Sequence, residues 1–190
     1  SRTGALISGL LTVVLGGCSA HGPVRGEDWI VNLPAMRLKW IPPGECELGA
    51  APGEIAWAEG PEGQGQSGWF PNEGRARAVF RKGFWLGQTE VAIGQWRTFV
   101  EDTGFVTDAE KAGFAWAYDW NTALMTNLPG ACWRKPAYGF EPADNHPVSC
   151  VSWNDAMAFC RWLTAREKAA GRVPWRFEYR LPGEAEWEYA

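Results

Sequence analysis

Histidine is scarce in this sequence, closely spaced cysteine pairs and an excess of basic charge are missing, and each shortage excludes a class of function. The 190 residues include only two histidines, His21 and His146, so a three-histidine iron site is excluded within them. No two of the five cysteines are spaced as Cys-x-x-Cys, so the pattern typical of a zinc site is missing. The formal net charge of −4 leaves no basic excess that would favour a nucleic-acid partner.

The N-terminal region lacks an apolar run long enough to span a membrane. Residues 5–15 form an apolar run of eleven residues, shorter than the roughly 20 that a transmembrane helix needs. Arg2 precedes this run, and Leu-Gly-Gly-Cys at 15–18 ends it with a spacing that resembles a bacterial lipoprotein signal. We therefore predict that residues 1–17 are a lipoprotein signal peptide and that Cys18 is lipid-modified. An ordinary secretory signal with an incidental cysteine is the alternative.

A lipid anchor at Cys18 would hold the protein at a membrane surface without a membrane-spanning helix. Residues 18–34 are polar and contain glycine and proline, so we interpret them as a tether between the anchor and the folded domain. The predicted location is the bacterial cell envelope, where the exported protein would be periplasmic or associated with the outer membrane.

Short extended segments and two well-marked helices account for most of the remaining pattern. Strands are predicted at 36–40, 46–48 and 75–86, with the second as the partner of the first across a Pro-Pro-Gly turn. Apolar residues at helical spacing predict a helix over 93–103, and Gly104 stands where a left-handed cap is needed.

The best-marked helix begins at Ser152. Ser152 and Asp155 have the spacing of a capping box, a stripe of apolar residues follows, and Gly171 ends the helix. Two other stretches, 51–74 and 113–144, show no clear period, so we predict long loops there.

Several short motifs, in order along the chain, resemble those of the sulfatase-modifying-factor family. The best-known member of this family is the formylglycine-generating enzyme. The family also includes the C-terminal domain of ergothioneine-pathway sulfoxide synthases and a pyoverdine-maturation protein. The motifs are IPPG and LG within 41–49, FWL and TEV within 84–91, FV, TGF and TDAEKAG within 99–113, WR at 133–134, HPV at 146–148, VSWNDA at 151–156, and RLP and EAEWEY within 180–189.

The resemblance implies an α+β fold, namely the formylglycine-generating-enzyme-like variant of the C-type-lectin-like fold, with little regular secondary structure and long ordered loops. The helix that starts near Glu184 reaches Ala190 without a stop signal, so we expect the domain to be truncated at its C-terminus. The predicted organisation is a signal peptide over 1–17, a tether over 18–34 and a sulfatase-modifying-factor-type domain over 35–190 that lacks its C-terminal half.

The resemblance also implies an activity in protein maturation. An exported, oxygen-dependent oxidoreductase would use copper to oxidise a cysteine in a sulfatase-type protein or peptide. Its catalytic cysteine pair, copper ligands and calcium ligands are expected beyond Ala190, so the sequence at hand would hold neither catalytic nor metal-binding residues and would be inactive alone. The alternatives are a non-catalytic lipoprotein that uses the same fold as a binding or structural module, and a related oxidoreductase acting on a small molecule. Whether the protein is an enzyme stays open at this point.

Four residues are the candidates for a site within this chain. Cys132 and Cys150 flank the segment around His146, and a disulfide between them would suit an exported protein. Trp133 and Arg134, at the WR motif of the family, are candidates to line a substrate groove by stacking and by charge. The structural alternative is that the indole pins a loop to the core while the guanidinium pairs with a carboxylate.

Overall fold

The computed structural model describes residues 13–16, 22–61 and 74–190. Two compact units divide the chain. The first is built from residues within 1–41 and 84–181, and the second from residues within 42–83 and 182–190. The prediction of an α+β domain with little regular secondary structure is confirmed, because short strands and helices alternate with long ordered connections.

An antiparallel five-stranded sheet forms the scaffold of the first unit. Its strands lie in the spatial order β2-β3-β6-β1-β9. Their bounds are β1 Val14–Gly16, β2 Trp29–Val31, β3 Met36–Ile41, β6 Phe84–Gly87 and β9 Glu178–Arg180. The sheet is non-sequential, so most of its pairings join residues far apart along the chain.

Two helices of the first unit pack their apolar faces against each other, α2 at Ile93–Thr103 and α4 at Trp153–Ala169. The ring of Trp96 stacks on that of Phe159 with centroids 5.5 Å apart, and Phe99 meets Phe159 edge to face at 5.7 Å. Such aromatic pairs stabilise beyond the apolar area that they bury. The main core of this unit is therefore strongly aromatic.

The sequence predicts the ends of both helices correctly. Gly104 caps α2 with a left-handed φ of 66°, and the Ser152 hydroxyl accepts the amide of Asp155 at the start of α4. At the start of α2 no polar side chain stands in the cap position. The side chain of Gln95 compensates by accepting the amide of Ala92 at 2.9 Å.

The predicted loop over 113–144 is wrong in its first half, which forms a β-hairpin of β7 Phe114–Asp119 and β8 Leu124–Pro129. The hairpin is not predicted from the sequence because its pattern of large and small side chains is the reverse of the usual one. Small residues such as Ala115 and Ala117 face inward, whereas Trp116 and Tyr118 are exposed. The short helix α3 at Asp108–Ala112, which precedes the hairpin, was not marked by any apolar stripe.

The second unit is a two-stranded antiparallel ribbon with two short helices. The strands are β4 Gly44–Leu48 and β5 Ala76–Phe80, and the helices are α1 Pro52–Ala58 and α5 Glu184–Tyr189. The Tyr189 ring stacks on Phe80 with centroids 4.5 Å apart. Two predictions are corrected here, because β4 pairs with β5 rather than with β3, and because part of the predicted loop over 51–74 is helical.

The strand β1 falls inside the predicted signal peptide. Val13, Val14 and Leu15 are fully buried, and β1 pairs with β6 on one side and with β9 on the other. Cys18 lies outside the described residues, so its lipidation stays a prediction. Within the residues that the structure describes, we find no helix with the length and apolar character needed to cross a membrane.

Candidate functional site

The candidate residues lie in one segment of the first unit, residues 131–150, which follows the hairpin and precedes α4. We call it the site segment. It carries Cys132, Trp133, Arg134 and Cys150. Its position is set by α3 and by the start of α4.

The first turns of α3 and α4 are joined by a shared carboxylate cap. Asp155 accepts the amide of Ser152 at 2.8 Å, and the same side chain accepts the amide of Asp108 at 3.1 and 3.2 Å. The Ser152 hydroxyl donates to the Asp108 carboxylate at 2.6 Å. One buried side chain therefore satisfies free amide groups at two helix starts, which fixes the two helices relative to each other.

The pKa values of the two carboxyl groups at this junction are shifted in opposite directions. Burial raises the pKa of Asp155, which is fully buried, and the hydrogen bonds from Ser152 and Asp108 only partly offset that effect. The hydroxyl of Ser152 lowers the pKa of Asp108, with a further contribution from Lys111. Asp108 is thus the member of the pair that holds its negative charge as the pH falls.

Trp133 lies in the main core with an exposed fraction of only 1%. Its indole nitrogen has no hydrogen-bond partner among the described residues, so packing holds the ring in place. This burial favours the structural interpretation of Trp133. The prediction that it lines a substrate groove is not tested by the present structure and stays a prediction.

Arg134 differs from its neighbour because its side chain is 55% exposed. The guanidinium lies over the Trp133 ring at 4.2 Å, and its Nε donates to the carboxylate of Glu110 at 3.3 Å. Burial acts to raise the pKa of Glu110, but hydrogen bonds from Thr107 and Arg134 outweigh it and the net shift is downward. Arg134 is therefore a stacked, oriented cation that still faces solvent.

Two cysteines of this unit, Cys150 and Cys160, are not activated nucleophiles. Burial raises the pKa of Cys150, and burial raises that of Cys160 to about 12. A thiol reacts as its thiolate, so the raised pKa lowers the thiolate fraction of both side chains near neutral pH and slows their reactions. Cys46, Cys132, Cys150 and Cys160 are all free thiols in the structure.

An open groove on the first unit, with a volume of about 430 Å³, was not predicted. Its lining includes Asn32, Pro34, Gly94, Gln95, Thr98 and Asp144. Asp144 forms an ion pair with Arg97 at 2.7 Å, which holds the site segment against α2 at the edge of the groove. No local sequence signal marks this groove, because three remote stretches of chain build it.

The metals implied by the family resemblance do not fit this part of the chain. Over the ranges 13–16, 22–61 and 74–190, no three histidine, cysteine, aspartate or glutamate side chains are grouped so that they could hold a metal ion. The described residues thus offer copper or calcium no group of three or more such ligands, and we assign no metal-dependent step to them.

Comparison with known proteins agrees with the fold and the motifs. The family model described as the sulfatase-modifying factor enzyme 1-like domain matches residues 31–190. This chain belongs to the sulfatase-modifying factor family. The match includes the site segment, the capped junction of α3 and α4, the second unit, and the part of the first unit that follows residue 30, so that β1 lies outside it.

Individual relatives support this assignment to the sulfatase-modifying factor family. The chain is 35% identical to the formylglycine-generating enzyme of Mus musculus, over 62% of this chain and 33% of that protein. It is 34% identical to the formylglycine-generating enzyme of Streptomyces coelicolor, over 79% of this chain and 45% of that protein. It is also 29% identical to the inactive C-alpha-formylglycine-generating enzyme 2 of Mus musculus, over 88% of this chain and 58% of that protein.

The chain spans between a third and just under half of the length of these formylglycine-generating enzymes. The activity, substrates and partners of the whole protein are therefore proposals.

Proposed function

We propose that this chain forms part of a formylglycine-generating-enzyme-like oxidoreductase, which oxidises a cysteine of a sulfatase-type protein with molecular oxygen. The observation that carries the proposal is the family match over 31–190, together with identities of about 35% to proteins named formylglycine-generating enzyme. By family resemblance, copper would supply the oxygen chemistry and calcium would support the fold.

The described residues supply a scaffold and a surface for this reaction rather than its chemistry. Buried thiols of raised pKa and the absence of a metal-binding group among the described residues both support this division. Arg134 is an exposed cation within the site segment, at the WR motif of the family. We propose that its guanidinium binds carbonyl or acidic groups of an extended peptide.

We expect the 190-residue chain alone to form no aldehyde. The assay uses purified folded chain, copper(I), oxygen and a peptide that contains Cys-x-Pro-x-Arg, with free copper(I) as the control. The physical reason is that burial raises the pKa of Cys150 and Cys160, and that no three potential metal ligands are grouped together among the described residues. Turnover above the free-copper control would contradict this prediction.

Arg134 gives a sharper test in the protein encoded by the complete reading frame. Arg134→Ala should change the free energy of unfolding by less than about 1 kcal/mol, because the ion pair with Glu110 involves a side chain that is 55% exposed. Peptide affinity, measured by calorimetry, should fall several-fold. Arg134→Lys keeps the charge but loses the planar fork, so it should recover affinity only in part.

Arg166→Ala is the matched control for the Arg134 variants, since Arg166 also pairs with a carboxylate, that of Asp102, and also lies over an indole ring, that of Trp162, but outside the site segment. Equal losses of affinity in Arg166→Ala and Arg134→Ala would indicate a general electrostatic effect. Unchanged affinity in Arg134→Ala would remove this residue from the proposed site.

A second candidate function is a non-catalytic binding module on the same fold. It is favoured by the relatives named inactive C-alpha-formylglycine-generating enzyme 2, whose matches cover 88% and 84% of this chain. A complete protein that binds the peptide but yields no aldehyde with copper and oxygen supplied would support this alternative over the oxidoreductase.

We further propose that the protein is exported and anchored by lipid at Cys18, on the strength of the apolar run and the Leu-Gly-Gly-Cys spacing at 15–18. The envelope would then supply an oxidising environment for thiols and for a sulfatase-type partner.

A further inference from the structure

We propose that Cys132 and Cys150 form a disulfide bond that links the two ends of the site segment. The bond would be a covalent modification site within this chain. It depends on neither the catalytic cysteine pair expected outside the chain nor the oxidoreductase activity.

The first support is that both side chains belong to one small hydrophobic cluster. Cys150 is buried in it with Ala109, Ala115, Ala117 and Ala131, and Cys132 packs against the same group. This cluster is separate from the main core of the first unit, which contains Cys160. Cys132 and Cys150 are therefore gathered by packing, whereas the other free thiols lie elsewhere.

The second support is the backbone around Cys132. Its amide donates to the carbonyl of Lys135 at 3.2 Å, and the Lys135 amide donates back at 2.9 Å. This tight turn places Pro136 directly beside Cys132. The sulfur of Cys150 lies 3.9 Å from the carbonyl oxygen of Pro136. The Cys150 sulfur therefore lies next to the residue that directly follows the turn formed by Cys132 and Lys135.

The third support is the conformation of Cys150. Its φ of 56° lies in the left-handed region, which costs energy for any residue with a Cβ and which glycine or asparagine adopts more readily. The energetic cost of this conformation is explained if the fold requires the Cys150 side chain in the position that the conformation gives it. Consistent with proximity, the Cys132 thiol contributes to the raised pKa of Cys150, after the larger effect of burial.

The chemistry requires a disulfide oxidant, of the glutathione disulfide or thiol-oxidase class. Cys132 is only half-buried, so its thiolate attacks the oxidant first and forms a mixed disulfide while one thiol leaves. Cys150 then loses its proton to solvent and attacks the Cys132 sulfur, which releases the second thiol. Two cysteine thiols are oxidised to one disulfide, and the oxidant is reduced to two thiols.

The test is disulfide mapping of the chain after incubation with glutathione disulfide. Remaining thiols are blocked with N-ethylmaleimide under denaturing conditions, and proteolytic peptides are analysed without reduction. In the unprocessed chain we expect a linked Cys132–Cys150 peptide, three blocked thiols at Cys18, Cys46 and Cys160, and a melting temperature that falls when a reductant is added. Cys46→Ser is the matched control and should leave the linked peptide and the melting shift intact.

Cys132→Ser should abolish both the linked peptide and the effect of reductant on the melting temperature. The mapping of the unsubstituted chain needs no variant, so a folding defect in Cys150→Ser leaves the proposal testable. Blocked thiols at both Cys132 and Cys150, a stable mixed disulfide on Cys132, or a link from Cys150 to any other cysteine would each overturn the proposal.

Discussion

Trp133→Ala should lower the free energy of unfolding by about 3–5 kcal/mol, the usual cost of removing a buried aromatic side chain. The ring is 1% exposed and belongs to the main core of the first unit. Its indole nitrogen has no described partner, so the substitution loses packing and leaves a cavity rather than an orphaned hydrogen-bond acceptor. Urea unfolding monitored by circular dichroism measures this loss.

Trp175→Ala is the control for Trp133→Ala, because the ring of Trp175 is 75% exposed in the same unit. It should change the free energy of unfolding by no more than about 0.5 kcal/mol. If Trp133→Ala is as stable as this control and the complete protein loses peptide affinity, Trp133 lines a groove and the structural interpretation is wrong.

Leu15→Asp should lower the free energy of unfolding of the unprocessed chain by several kcal/mol. Leu15 is fully buried in β1 and lies opposite both Trp85 and Tyr179. An aspartate there would bury a carboxylate without a partner in the middle of the sheet. Chain produced without export, so that residues 1–17 are retained, is the sample, and its urea midpoint is the measurement. Val24→Asp, at a site that is 58% exposed, is the matched control and should have little effect.

The fate of residues 1–17 distinguishes two forms of the mature protein, one without β1 and one that retains it. If signal cleavage before Cys18 occurs in a bacterial host, the mature protein lacks β1, and another segment of the complete protein must pair with β6 and β9. Cys18→Ser should then release the protein from the membrane fraction. If the intact mass of the wild-type protein instead shows residues 1–17 retained, the lipoprotein proposal is wrong and β1 belongs to the mature sheet.

The sequence was sufficient to predict α2 and α4 because their signals are local. The capping residues and apolar stripes of α2 and α4 lie within one or two turns of the positions that they determine. The partners of the strands were not predictable in this way. The β7–β8 hairpin carries its large rings outward and its alanines inward, so hydrophobic alternation indicates the wrong face.

The candidate site was likewise only partly predictable from the sequence. The sequence marks Trp133 and Arg134 through the family motif, but only the structure shows that one side chain is buried while the other is exposed. The capping motif at Ser152 is visible in the sequence, yet the role of Asp155 as a cap for both helices depends on tertiary contacts. The left-handed backbone of Cys150 likewise has no signal in the sequence.

The oxidoreductase proposal is tested most directly in cells. The complete reading frame is expressed with a sulfatase in a host that has no formylglycine-generating activity of its own, and the sulfatase peptide is analysed by mass spectrometry. We predict formylglycine in place of the target cysteine, and none when the 190-residue chain is expressed instead. Unmodified cysteine in the presence of the complete, folded protein, with copper and oxygen supplied, would contradict the proposed oxidoreductase and favour the binding module.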